Sequence, residues 1–255
     1  MKKLGIIGFG WLGSRIAEIL KDKYEIFTTT TSAEKCSALK YNGWNAVVAK
    51  LSDEKLDEAL KQADFINEMD AVIIAVPFSE RRHSPEAMKN RAANIARFIG
   101  DFKKPVFMMS STGIYPEISK LMTEDEVDPD SLISEGAFRK YFPQINILRL
   151  GGLMGDNRLL KNYAVKDSDH IVNHIHYEDI AKVIDLMLEK NLKEKLYNVV
   201  APLHPTKQEV IDAQNGISPG KIDVKEKSGK EISPQKMTDE LGYTFLHPDP
   251  RYFHN

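Results

Sequence analysis

The sequence predicts an α/β fold: a doubly wound, mostly parallel sheet with a small C-terminal region. Three observations predict it. Short β-branched and apolar runs alternate with amphipathic segments through the first 150 residues, a pattern that right-handed crossovers turn into a parallel sheet covered by helices on both faces. A glycine-rich turn, Gly8-Phe9-Gly10-Trp11-Leu12-Gly13, stands between the first apolar run and the first amphipathic segment. The length of 255 residues, with 42% hydrophobic and 28% charged, suits one large domain or one domain with a small appendage.

Each element follows from a local signal. Residues 4–7 form a buried-strand run, and residues 13–21 carry Ile16, Ala17, Ile19 and Leu20 at helical spacing. Residues 24–30 are β-branched and aromatic, hence a strand. Ser32 caps a helix to about residue 40. Residues 46–49 make a third strand, and Ser52 or Asp53 caps a helix carrying Leu56, Ala59 and Leu60. The apolar run 71–76 is a fourth strand, stopped by Pro77. Residues 85–99 are helical with Gly100 as terminator, and 106–109 form the fifth strand. Residues 113–129 lack periodicity and read as a loop. A helix over 134–142, a strand over 145–150, a strongly amphipathic helix over 179–189 and a strand over 196–200 follow. Thr206 caps a helix to residue 213, residues 221–227 alternate like an exposed strand, and residues 234–241 form a last helix closed by Gly242.

The composition removes several function classes. Lys plus Arg is 35 and Asp plus Glu is 37, for a net charge of −2, so no basic footprint for nucleic acid is expected. A single cysteine, Cys36, excludes an internal disulfide and a multi-cysteine zinc site and suits a reducing cytoplasm. No apolar run reaches membrane-spanning length, and Arg15 and Glu18 interrupt the N-terminal run before it resembles a signal peptide. A cytoplasmic protein with no membrane or nucleic-acid partner is expected.

The glycine turn carries the first chemistry. In the order strand, G-x-G-x-x-G, helix, Gly8 permits the tight turn, Gly10 lets backbone approach a pyrophosphate, and Gly13 packs helix against strand. The helix N-terminus at Trp11 and Leu12 then offers free N–H groups to phosphate. Residues 1–150 are therefore expected to be a Rossmann dinucleotide-binding core. Residues 151–255 should complete the sheet and cover a substrate cleft. At the end of the second strand an NAD site commonly has an acid for the ribose 2′-OH. Here stand Thr30, Thr31 and Ser32, with Lys35 nearby and no acid. That favours NADP over NAD.

Ligands of such sheets sit beyond the carboxyl ends of the strands. Val76-Pro77 follows the fourth strand and is expected along the cofactor. Ser110-Ser111-Thr112-Gly113-Ile114-Tyr115 follows the fifth, and Arg149-Leu150-Gly151-Gly152-Leu153-Met154-Gly155 ends the sixth. With the glycine turn and Ile175-His176-Tyr177-Glu178-Asp179 before a helix, these motifs resemble the extended short-chain dehydrogenase/reductases. The similarity is narrower still to their atypical branch of NAD(P)-dependent epimerase/dehydratase-like proteins. It covers nearly the whole chain, through Leu196-Tyr197-Asn198-Val199-Val200 and Leu241-Gly242-Tyr243.

The resemblance implies a catalytic serine at Ser111 and cofactor contacts at Ser110 and Gly152. It also implies a Tyr-x-x-x-Lys pair, whose i and i+4 side chains share one helix face. No tyrosine of this chain has lysine four residues on, and the expected place near Gly136 reads Glu135-Gly136-Ala137-Phe138-Arg139-Lys140. Tyr115 is the alternative acid, or a packed loop residue. Arg158 is a candidate anion contact, whereas Arg81, Arg82 and His83 are expected in solvent. His174 and His176 alternate ahead of Glu178 and Asp179. Capping of the helix by Asp179 or Glu178, with the histidines packed beneath, accounts for that pattern, and no metal is expected. The expectation is an NAD(P)-dependent oxidoreductase or epimerase/dehydratase-like enzyme on a small polar substrate. The alternative is a non-catalytic NAD(P)H sensor.

Overall fold

The computed structural model describes residues 1–55, 60–78, 83–217 and 227–254. In order, the elements are β1 (Lys2–Ile7), α1 (Trp11–Leu20), β2 (Tyr24–Thr30), α2 (Ala33–Tyr41), β3 (Asn45–Val48), β4 (Ala71–Ile74), α3 (Pro85–Ile99) and β5 (Val106–Ser111). Then come β6 (Leu121–Met122), α4 (Ile133–Tyr141), β7 (Ile145–Leu150), β8 (Gly152–Met154), β9 (His174–His176), α5 (Tyr177–Glu189), β10 (Leu196–Val199), α6 (Lys207–Gln214), β11 (Glu231–Ile232) and α7 (Gln235–Leu241).

Seven strands form one sheet in the order β10-β7-β5-β4-β1-β2-β3. The chain winds from β1 through β2 to β3, returns to β4 on the other side of β1, and winds outward again. That reversal makes β1/β4 the topological switch point of a doubly wound sheet. The register is parallel on both sides: Leu4 stands opposite Ile26 of β2 and Ala71 of β4. Ile6, Ile7, Val72, Ile73 and Ile74 are all fully buried, as strands covered on both faces must be. The expected doubly wound α/β sheet is the observed one.

Two compact units are distinguished: residues 1–110, 128–148 and 185–196, and residues 111–127, 149–184 and 197–255. In the first, α3 is held by local chemistry at both ends. Ser84 Oγ accepts the Ala87 N–H, Pro85 opens the helix, and Gly100 ends it at φ +72°. Its apolar face, with Met88, Ala92, Ile95 and Ile99 buried, contributes to a core shared with Val72, Ile74, Val106 and Met108. In the second unit α6 begins with a full capping box, Thr206 with Glu209.

Several expectations need correction. The fourth strand ends at Ile74, not Val76; Ala75 still donates its N–H to Ile7 O at 2.9 Å before the chain leaves the sheet. The stretch 113–129 is not all loop: β6 pairs in parallel with β11, more than 100 residues away. The helix α5 starts at Tyr177, so Asp179 lies in its first turn rather than capping it. The helix expected after Ser52 falls on residues 56–59, outside the described residues, and Leu60 is not helical. Arg81 and Arg82, and the strand over 221–227 apart from Lys227, also lie outside them. Among the described residues no helix is long and apolar enough to cross a membrane.

Candidate dinucleotide site and the strand ends

The glycine turn leaves β1 at the switch point. Gly8 has φ +105°, a conformation that L side chains rarely adopt, and its N–H donates to Thr29 Oγ1 at 2.9 Å. Gly13 is required by contact: a Cβ there would lie 2.1 Å from Gly8 O. Gly10 differs from both. It is the N-cap of α1, and a Cβ built on it meets no atom within 4 Å. The first turn of α1 has neither an acidic residue nor a side-chain cap. The positive end of the helix dipole therefore meets the glycine turn with no carboxylate in that first turn to offset it. These residues fit a pyrophosphate: the turn is tight where the fold needs it and open where a ligand would approach.

The rest of the turn packs it in place. Leu12 is buried, while Trp11 is half-buried with the Arg15 guanidinium 4.1 Å from its ring centre. Phe9 packs against Trp44 with centroids 5.3 Å apart. Val76 also belongs to the turn, since its Cγ1 would stand 2.9 Å from a Cβ on Gly8. Pro77 follows it, exposed, and its carbonyl accepts from Arg91 Nη1 at 2.7 Å.

The end of β2 adjoins the same turn. Thr28 Oγ1 donates to Ile6 O, and Thr29 Oγ1 serves Gly8. Thr30 is buried and Thr31 exposed, while Ser32 Oγ accepts the Lys35 N–H at 3.2 Å and caps α2. Lys35 reaches across to the glycine turn, with Nζ 2.5 Å from Phe9 O. The structure thus brings one cation to the meeting point of the glycine turn and the end of β2. No carboxylate occupies the end of that strand.

At the end of β5 the two serines diverge. Ser110 is buried and donates to Glu135 Oε1 of α4 at 2.5 Å. Glu135 is itself fully buried. It is one residue from Gly136, where the family resemblance implied a tyrosine. No motif in the sequence points to a role for this glutamate, whose partner Ser110 lies 25 residues away. Ser111 is exposed, and its Oγ accepts the Gly113 N–H at 3.1 Å.

The second unit holds the remaining expected positions. Tyr115 is 1% exposed. Its hydroxyl donates to Asn198 Oδ1 at 2.7 Å and accepts from Arg149 Nη1 at 3.0 Å. Burial pushes its pKa upward. Arg149 is fully buried and also donates to the carbonyls of Glu124 and Val127. Glu124 accepts the Asn198 N–H, and burial raises its pKa. Apart from Tyr115, this network escaped sequence reasoning, because its members are scattered between residues 115 and 198 in the chain. Gly152 N–H donates to Asn173 O, and a Cβ on Gly152 would meet the His174 ring at 2.6 Å. Burial pushes His174 and His176 down to about 4, so both are neutral at physiological pH. Asp179 does not cap its own helix. Its carboxylate accepts from Tyr243 OH, the Leu246 N–H and the His247 N–H at 2.7, 2.7 and 3.0 Å.

The strand order and the glycine turn at the switch point define a Rossmann-type, doubly wound α/β fold. Comparison with known proteins agrees. Residues 4–96 match the TrkA-N domain model. The Escherichia coli K12 protein YeeZ is 24% identical, over 98% of both chains. Yeast methylglyoxal/isovaleraldehyde reductase Gre2, solved with NADPH, superposes with a TM-score of 0.74 at 16% identity, covering 96% of this chain and 94% of that one. The human epimerase family protein SDR39U1, also solved with NADPH, gives 0.67 at 13% identity over 98% and 97%. UDP-N-acetylglucosamine 4-epimerase from Bacillus cereus gives 0.65 at 18% identity over 97% and 94%. At these identities the likeness to the solved structures is one of fold.

Proposed function

We propose that this chain is an NADP(H)-binding oxidoreductase or epimerase/dehydratase-like enzyme acting on a small polar substrate. The observation that carries the proposal is the glycine turn at the switch point, with an open face at Gly10 and the Lys35 ammonium beside it. The pyrophosphate would rest on Gly8, Gly10, Trp11, Leu12 and Gly13 at the start of α1. Thr30, Thr31, Ser32 and Lys35 would hold a ribose 2′-phosphate, which a carboxylate at that strand end would repel. Val76, Pro77, Ser110 and Gly152 complete the proposed cofactor contacts. Fold neighbours that carry NADPH support this choice. When bound, the nicotinamide supplies or accepts hydride; the protein's part is to bind, orient and handle the proton. Ser111, exposed at the end of β5, is the hydroxyl proposed to orient a substrate carbonyl or hydroxyl. Tyr115 is the alternative donor, but its buried hydroxyl is already bonded on both sides, so the proposal rests first on Ser111. The lone, buried Cys36 suits a cytoplasmic protein.

The test is paired titration of the purified chain with NADPH and NADH at one salt concentration. NADPH is expected to bind more tightly, and Thr30→Asp to move the preference toward NADH. Tighter NADH binding by the wild type would overturn the 2′-phosphate assignment, and binding of neither would overturn the dinucleotide assignment. A second reading, a non-catalytic NADPH sensor, is favoured by one observation: no tyrosine is followed at the fourth position by lysine. Tight NADPH binding without turnover on carbonyl and nucleotide-sugar substrates would select it.

A further inference from the structure

His176 closes β9, Glu178 lies in the first turn of α5, and His247 comes 69 residues after Glu178 in the same compact unit. One ring nitrogen of each histidine and one carboxylate oxygen of Glu178 all lie within 4.8 Å of one another. His247 Nε2 is 2.8 Å from Glu178 Oε2, and the two imidazoles lie tilted at 39° with centroids 3.8 Å apart. The cluster is held by backbone rather than by chance side-chain contact. Asp179, fully buried, receives the N–H groups of Leu246 and His247, which delivers His247 to Glu178. His176 is fixed by its strand and is 5% exposed. The side chains of His247 and Glu178 are 22% and 41% exposed, so the cluster opens to solvent.

We propose that His176, Glu178 and His247 form a binding site for a divalent d-block cation of the zinc class, which fastens the C-terminal segment to the start of α5. Two imidazole nitrogens and one carboxylate oxygen are the donor set of a three-ligand zinc centre, with water in the fourth position. The nitrogen donors disfavour magnesium and calcium, which take oxygen sets of higher coordination number. With metal bonds of about 2.1 Å and tetrahedral angles, the ligating atoms stand roughly 3.4 Å apart. The donor atoms, which lie within 4.8 Å of one another, must settle to that spacing, and His247, the more exposed of the two histidines, supplies the movement. Asp156, whose carboxylate accepts from Tyr177 OH at 2.7 Å, follows Gly155, where an added Cβ would stand 2.6 Å from His176 Nε2. It places a second acidic residue in the loop beside the site. Sequence reasoning saw His176 and Glu178 but paired them with His174 and Asp179. The third ligand lies far along the chain, and no spacing rule points to it.

The test uses the purified full chain, stripped with a chelator and titrated with Co²⁺ and then Zn²⁺. One Co²⁺ per chain is expected to give a visible absorption band, displaced by Zn²⁺. Glu178→Gln and His247→Gln are each expected to weaken Zn²⁺ binding by about tenfold or more, with His170→Gln unchanged. Hydrogen exchange in residues 243–254 is expected to slow with Zn²⁺ in the wild type and not in Glu178→Gln. Far-UV circular dichroism in chelator checks that each variant folds. If one does not, the wild-type cobalt stoichiometry and the other variant decide. Absence of a stoichiometric cobalt band, or equal Zn²⁺ affinity in wild type and both variants, would overturn the site.

Discussion

At the scale of single residues, the glycines of the turn make different demands, and substitution separates them. Gly10 has open space where a Cβ would stand, and its extended backbone accepts any residue. Gly10→Val is therefore expected to cost only about 1 kcal/mol, the loss of a favourable N-cap, while abolishing NADPH binding by filling the phosphate's place. Gly13→Ala meets a backbone oxygen that cannot move aside. It is expected to destabilise by about 1–3 kcal/mol, as well as losing the ligand. Calorimetry with NADPH alongside thermal melts distinguishes the two; unchanged affinity in Gly10→Val would contradict the pyrophosphate assignment. The hydroxyls of the β5 end divide in the same way. Tyr115→Phe removes a bond to Asn198 and one from Arg149 inside a buried network, so a loss of about 1–3 kcal/mol in stability is expected. Turnover per folded molecule should hold if Tyr115 only packs. Ser111→Ala touches an exposed residue whose hydroxyl accepts one local N–H, that of Gly113. It should leave stability nearly unchanged and lower turnover on an identified substrate more than NADPH affinity.

Elements are where local and non-local information part. Thr206 and Glu209 close a capping box at α6, with the Thr206 N–H 2.6 Å from Glu209 Oε2 and Glu209 N–H 3.2 Å from Thr206 Oγ1. Thr206→Ala is expected to cost about 1 kcal/mol without affecting dinucleotide binding; a melt equal to wild type would mean that α6 is held by packing alone. Thr206 was legible in the sequence as the cap because a cap lies next to the turn it opens, while its reciprocal partner Glu209 was not singled out. The same legibility holds for Pro85 and Gly100 around α3, and for the apolar and β-branched runs of β1, β2 and β4. The glycine turn was legible too, because strand, turn and helix follow one another without a break. What did not show were features assembled from distant residues. The pairing of β6 with β11 joins residues 121–122 to 231–232, two-residue strands too short to carry a period. The apolar run 71–76 hides where β4 stops, because the strand end is set by hydrogen bonding to β1. Asp179 resembled a helix cap from its position, yet its partners are Tyr243, Leu246 and His247. Arg149 looked like part of a strand-end motif, whereas the fold buries its charge among carbonyls and Tyr115.

At the scale of the whole molecule, one pattern recurs in both compact units: buried or half-buried phenols donate to carboxylates. In the first unit Tyr24 OH donates to Asp185 Oδ1 at 3.0 Å, and Lys23 Nζ lies 2.6 Å from the same carboxylate. In the second, Tyr197 OH donates to Glu240 and Tyr243 OH to Asp179, each at 2.7 Å. Burial, with the adjacent carboxylate, raises all three phenol pKa values, that of Tyr24 to about 12. The unfolded chain releases these protons near pH 10. Above that pH the folded protein holds more protons than the unfolded one, so stability falls as pH rises. For Tyr24 the stabilisation is fully present below pH 10 and is lost between about 10 and 12. Two pH units correspond to at most about 3 kcal/mol. The protein is therefore expected to lose stability steeply above pH 10, rather than levelling off. Urea unfolding of wild type and Tyr24→Phe between pH 8 and 11.5 measures this phenol's share. The variant should be less stable at pH 8, having lost the bond to Asp185, and its stability should decline less steeply with pH. Parallel declines would show that Tyr24 keeps an ordinary pKa in the folded state and that the alkaline sensitivity arises elsewhere.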